Sequence, residues 1–311
     1  ATAPAMPSAS SAPLVGPVTL PARRSVVTPQ LATIPFPTTA DASAWSDYVL
    51  ALLAYNPWQN NQSDKTGVQE RLALLQDVAE QNFGLVLQTL ERAGSRIDVT
   101  SRDAIVSVAL QHADDQNQSA IFRAFEKCTP LAAVIAEKNW IQESAPSMAA
   151  ALRGYPYLSS YSSHETGFFG VCFQSEDAAV WQELENLFSK TNFSVAHSVY
   201  VSGLRKMPAD AQTRAEARLA RLIPLMLGAA RKADPTGVST AYRILYCSEE
   251  AARIGHADAL QALALYLTTG SPQVRSENRA STQKRVSTTV QTLTGCPTTL
   301  TPPETGRWVL E

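Results

Sequence analysis

A hydrophobic period of 3.6 residues, sustained with few breaks from about Asp41 to Thr294, restricts what this 311-residue chain can become. In SAWSDYVLALLAY, Trp45, Val49, Leu52 and Leu53 recur at i, i+4, i+7 and i+8, one stripe of an amphipathic helix. GVQERLALLQDVAEQ repeats the pattern with Val68, Leu72, Leu75 and Ala79. SRDAIVSVALQHA offers Ser101 as an N-cap ahead of a stripe at Ala104, Val108 and His112, with Ile105 and Ala109 beside it. The same reading predicts helices at about 117–127, 130–139, 146–153, 177–189, 194–206, 209–232, 238–254, 257–269 and 274–294. Alternating β-branched runs are scarce, and GFFGVCF is the one serious strand candidate. Short connectors carrying Gly, Pro, Asn or Asp join the helices. The expected class is all-α: a helix-pair, α-solenoid-like array over residues 40–295, with an irregular insertion at 154–175.

Both ends depart from that period. Eight of the 19 prolines fall within residues 1–39 (Pro4, Pro7, Pro13, Pro17, Pro21, Pro29, Pro35 and Pro37), where Arg23 and Arg24 are the only charges. Proline fixes φ and removes a donor, so this stretch should be an extended arm without helix. Ordering it costs about 1–2 kcal/mol of backbone entropy per residue, and polyproline-II has no internal hydrogen bonds to offset that. Apolar anchors must hold it: Leu14, Val15, Val18, Leu20, Val26, Val27, Leu31, Ile34 and Phe36. At about 3 Å per residue the arm reaches far beyond one domain, so its expected seat is a partner subunit. Residues 296–311, CPTTLTPPETGRWVLE, form a short non-helical tail with Trp308 as an anchor.

Composition narrows the class of function. Hydrophobic residues at 45% and charged residues at 17% allow a sizeable core. A formal net charge of −2 opposes nucleic-acid binding through a broad basic surface. No run of about 18 or more apolar residues is present to span a membrane. The chain opens with Ala1 in ATAPAMPSASSAP, in the manner of a signal-cleaved chain, so a periplasmic or secreted location is the expectation, with the cytoplasm as the alternative. Cys128, Cys172, Cys247 and Cys296 lack a C-x-x-C spacing. They suit two disulfides between neighbours in an array, Cys128 with Cys172 and Cys247 with Cys296, or equally a set of buried thiols.

Chemistry-bearing residues concentrate in YPYLSSYSSHETGFFGVCF. Tyr155, Tyr157, Tyr161, His164, Phe168 and Phe169 form a candidate contact patch for a protein or a carbohydrate. Ser160 or Ser163 with His164 and Glu165 would be the elements of a small hydrolase. Two observations oppose it: adjacent residues rarely face one another, and no G-x-S-x-G elbow presents a serine. HETGF lacks the second histidine of a zinc helix, and no Cys/His pair has metal-ligand spacing. The same stretch also suits an inter-helix loop whose aromatics cover a core edge. No metal or cofactor is expected.

One stretch resembles a known family. In GHADALQALALYLTTG the small and apolar residues Gly255, Ala257, Ala259, Leu263, Ala264 and Gly270 fall on the positions of the Sel-one-like repeat, a relative of the tetratricopeptide repeat. Leu267 stands where that family usually has tyrosine. With STAYRILYCSEEAARI ahead of it, the match spans about residues 238–272, roughly a tenth of the chain. Alanines let two helices approach closely, and the glycines permit sharp reversals. The resemblance implies an antiparallel helix pair and a role in protein–protein contact. The expected function is therefore a non-catalytic scaffold or accessory subunit of a larger, exported assembly. The alternative is a small hydrolase or carbohydrate-binding protein using residues 155–173.

Overall fold

The structure is a computed structural model, and it describes residues 21–59, 62–93, 99–158, 163–232, 238–253, 279–297, 300–301 and 309–310. Its class is all-α, as the periodicity predicts. The stretch Gly255–Gly270, with the helix expected at 257–269, lies outside the described residues, as do Leu14, Val15, Val18, Leu20, His256 and Trp308. The helical span divides into two compact units, residues 1–137 and 138–311.

In the first unit α1 is a single turn (Pro29–Ala32) and α2 runs Ala42–Ala54. The turn corrects the expectation of an arm without helix: Pro29 stands at its first position, where a missing N–H costs nothing. Asp41 caps α2 by accepting from the Ser43 and Ala44 N–H groups, and Trp45, Val49, Leu52 and Leu53 are buried as one stripe. A two-residue antiparallel ladder joins β1 (Trp58–Gln59) to β2 (Gln62–Ser63). The long α3 (Lys65–Ala93) breaks at Asn82, whose φ of −158° and ψ of 81° are not helical. Asn82 Oδ1 accepts from the Leu85 N–H, so its side chain caps a second helical segment. Helices α4 (Val99–His112) and α5 (Gln118–Phe125) pack on α3. A 3-10 turn (Thr129–Leu131) leads into α6 (Ala132–Glu137), which packs on α4. Ser101 is not an N-cap. It lies inside α4, fully buried, and donates to the Leu53 carbonyl at 2.6 Å.

The second unit contains α7 (Ala145–Arg153), α8 (Ser163–Cys172), α9 (Ala178–Lys190), α10 (Phe193–Lys206), α11 (Ala209–Leu219), α12 (Leu222–Lys232), α13 (Val238–Arg253) and α14 (Arg279–Thr294). A second small ladder joins β3 (Leu300–Thr301) to β4 (Val309–Leu310) in the tail. The strand expected for GFFGVCF is instead the body of α8. Phe168, Phe169, Val171, Cys172 and Phe173 are all buried, and a run of consecutive buried positions shows no amphipathic stripe.

The principal pairings among the described helices advance along the chain: α7 with α9, α8 with α10, α9 and α10 with α12, α12 with α13, α13 with α14. The α8–α10 crossing is tight because glycines face it. A Cβ on Gly203 would lie 2.5 Å from the Phe173 ring, and one on Gly170 would lie 2.9 Å from Lys206 Cβ. Phe173 also neighbours Trp181, Phe188 and Tyr200 at ring-centroid distances of 6.2–6.3 Å, so one aromatic cluster fixes α8, α9 and α10 together. Arg–Glu pairs join helices at the surface: Arg153 with Glu183, Arg221 with Glu185, Arg253 with Glu216 and Arg285 with Glu249. Exposed pairs of this kind contribute little individually, about 0–1 kcal/mol.

Candidate functional site

Three places were open to function: the seat of the arm, the 155–173 stretch, and a polar cavity in the second unit.

The described part of the arm lies on its own chain. Arg24 grips Asp77 with two hydrogen bonds of 2.6 and 2.7 Å. The Glu70 carboxylate accepts the Val27 N–H at 2.7 Å and the Thr28 N–H at 2.9 Å. These contacts, with the Thr28 side chain foremost, hold the Glu70 carboxyl below its ordinary range. Leu31 is buried, Phe36 meets Trp45 and Tyr48 edge-on at 5.3 and 5.5 Å, and Arg23 lies over the Phe36 ring. Ile34 and Val26 are half-buried, whereas Val27 is 76% exposed and anchors nothing. The expected partner surface is thereby corrected for this portion: α2 and α3 are its seat, with carboxylates supplying the acceptors that an extended backbone lacks.

Beneath it lies a buried polar network. Arg71 is fully buried, donates from Nη1 to the Tyr55 carbonyl at 3.1 Å and to Ser101 Oγ at 3.0 Å, and lies over the Tyr55 ring. The Tyr55 hydroxyl donates to Asp64, which in turn accepts from the Gly67 N–H at the start of α3. Burial, then the bond to Asp64, pushes the Tyr55 phenol up to about 12. The network ties α2, α3 and α4 together.

Two members of the patch expected at 155–173 are enclosed in the core. Phe168 and Phe169 are core residues at 0% exposure. Tyr155 is half-buried and stacks on Phe168 at 6.0 Å. Among the patch residues with described side chains, only Tyr157, 55% exposed, stands out from the surface. Ser160 and Tyr161 lie outside the described residues, and Ser163, His164 and Glu165 are consecutive positions at the start of α8. Residues 163–172 are helix, which corrects the irregular insertion expected over 154–175 for that part.

The cysteines correct a further expectation. Cys128, Cys172 and Cys247 are free thiols in the core, and the pairings Cys128–Cys172 and Cys247–Cys296 are not made. Burial pushes the Cys128 thiol up to about 12 and raises Cys172 and Cys247 as well, which makes them inert rather than nucleophilic. His112 stacks on Phe83 at the end of α4, and His197 meets the Tyr246 ring edge-on at 4.9 Å. Among the described residues no group of His, Cys, Asp and Glu is arranged to hold a metal ion, and no helix is long and apolar enough to cross a membrane.

Sequence reasoning missed the polar cavity. It has a volume of about 210 Å³ and is bounded by the α6–α7 and α8–α9 connections and by one face of α11. Gln142 fastens the two connections: its Oε1 accepts the Glu176 N–H at 3.0 Å and its Nε2 donates to the Gln174 carbonyl at 3.4 Å. Arg214 and Arg218 enter from consecutive turns of α11, and Glu143 and Glu176 stand in the same lining. Arg214 pairs with Asp210 at 2.6 Å. Arg218 lies over the Trp181 ring at 5.9 Å and donates from Nη2 to the Arg214 carbonyl over a long 3.4 Å. The i, i+4 spacing of Arg214 and Arg218 was visible in the sequence, but the loops that face them were not.

No family model, no curated protein and no solved structure matches the chain.

Proposed function

We propose that the chain is a non-catalytic helical scaffold that presents its surface to other protein subunits of a larger assembly. The observation that carries this reading is the order of helix pairing in the second unit. Each principal partner of a helix lies at most three helices away in sequence, as in arrays that grow along one direction. Such arrays bury a core between neighbours and leave long outer faces for contact. The resemblance of Gly255–Gly270 to a Sel-one-like unit supports the same reading, because that family mediates protein–protein contact. The burial of Phe168 and Phe169 leaves the hydrolase or carbohydrate-binding alternative with less exposed aromatic surface. An exported or periplasmic setting belongs to the proposal and draws no support from the three buried thiols.

The test is native mass. In extracts of the source cells, gently fractionated, the protein should migrate well above the mass of one chain, whereas the purified chain should not. Migration as a single chain in fresh extract, unaltered by mild cross-linking, would overturn the scaffold reading. Fractionation of the same cells decides the compartment.

A further inference from the structure

The cavity on α11 is lined by charges of both signs: Arg214 is already paired with Asp210, whereas Arg218 has no carboxylate partner among the described residues. Arg218 is short of acceptors. Its Nε is shut away from solvent without a partner, and its Nη2 has only the long bond to the Arg214 carbonyl. Among the described residues no cation pairs with Glu143 or Glu176. Size restricts the occupant: about 210 Å³ is the volume of some seven waters at about 30 Å³ each, too little for a nucleotide or a disaccharide. The lining is mostly polar, which disfavours a lipid chain. A simple anion would meet the guanidinium groups but be repelled by two carboxylates, and a simple cation would meet the reverse. A molecule that carries both charges on a small frame satisfies all of these conditions.

We propose that this cavity binds a free α-amino acid, with its carboxylate held by Arg218 and Arg214 and its ammonium by Glu143 and Glu176. Arginine suits the first role because its planar fork matches a carboxylate, and stacking on Trp181 holds that fork in place. Gln142 suits a supporting role, since its two bonds keep the opposing loops at a fixed separation. The ligand would tie α11 to both connections, so binding should raise the melting temperature of the second unit. The proposal is independent of the scaffold reading, and its failure would leave that reading standing.

The experiment titrates the full chain with each standard amino acid up to about 10 mM by calorimetry and thermal shift, beside its N-acetyl and carboxamide derivatives. At least one amino acid should bind. Affinity should fall by about tenfold or more on acetylation, on amidation, and in Arg218→Gln and Glu176→Gln, with Glu80→Gln in α3 unchanged. Arg218 packs on Trp181 and its replacement could unsettle the fold, so circular dichroism accompanies each variant. Glu176 is exposed, and Glu176→Gln decides the matter if Arg218→Gln melts early. No binding by any amino acid overturns the proposal. Equal binding of an acetylated or amidated form also overturns it, because one charge would then suffice. Unchanged affinity in Glu176→Gln places the ligand elsewhere and overturns it too.

Discussion

Substituting Gly203 by alanine sets two known effects against each other at one atom. In a helix interior alanine is favoured over glycine by about 1 kcal/mol, so the helix alone should gain. The added methyl carbon would lie 2.5 Å from Phe173 Cε2, 3.0 Å from Cδ2 and 3.4 Å from Phe169 Cβ. Neither ring has room to yield, as both are fully buried and packed against Trp181, Phe188 and Tyr200. Overpacking of this severity costs about 3 kcal/mol, at the upper end of the usual range. The expected net loss is therefore about 2 kcal/mol, or roughly 4–8 °C in the unfolding of a unit this size. Gly167→Ala is the matched control on α8, because nothing lies within 4 Å of its added carbon, and it should stabilise by about 0.5–1 kcal/mol. Urea unfolding followed by circular dichroism measures both. Adding Phe173→Leu to Gly203→Ala should cost less than the sum of the two single changes, since the leucine vacates the space the methyl needs. A Gly203→Ala protein as stable as the parent would refute the tight-crossing argument, and so would strict additivity in the double variant.

Four further outcomes are expected. Leu31→Ala should cost about 2 kcal/mol and loosen the arm, seen as faster proteolysis after Arg23 and Arg24; unchanged cleavage would show that other contacts hold it. Glu70 has a folded-state pKa below its unfolded value of 4.5, so its contribution is complete above pH 4.5 and is lost as pH falls through the lowered folded value. Glu70→Gln should flatten that part of the acid-unfolding profile, and an identical slope in both proteins would count against the carboxylate. Arg71→Ala, which takes the donor from the buried Tyr55 carbonyl while Ser101 keeps its bond to Leu53, should cost about 2–3 kcal/mol in chemical unfolding, whereas a loss under about 1 kcal/mol would mean that water replaces the guanidinium. Finally, of the cysteines with described surroundings, only exposed Cys296 should react quickly with a thiol reagent in the native state, while Cys128, Cys172 and Cys247 wait for unfolding.

The helices that face solvent on one side were legible from sequence. Trp45, Val49, Leu52 and Leu53 define α2 because their stripe separates buried from exposed positions. The same logic fails where consecutive positions are buried, as from Phe168 to Phe173, and GFFGVCF is a strand candidate in the sequence for that reason. The seat of the arm left a faint signal. Glu70 and Asp77 are seven residues apart, two turns along one face of α3, opposite the only charges of the Pro-rich segment. That pairing depends on chain distance of 53 residues for Arg24 and Asp77, which no local pattern reports. The cavity was hidden for a similar reason: its walls come from three separate segments, and neither loop carries a motif.

The stepwise pairing of helices has a consequence for synthesis. A ribosome adds about 5–20 residues each second, so a helix whose partner lies some 30–40 residues ahead waits only seconds with its apolar face uncovered. The aromatic face of α8 finds α10 within that interval, before α14 exists. Most of this chain can thus assemble in the order in which it is made, with little exposed surface at any stage. The arm is the exception. Made before α3, its Arg24 must wait for Asp77, and during that delay the Pro-rich segment is protected from premature pairing by its own missing N–H donors.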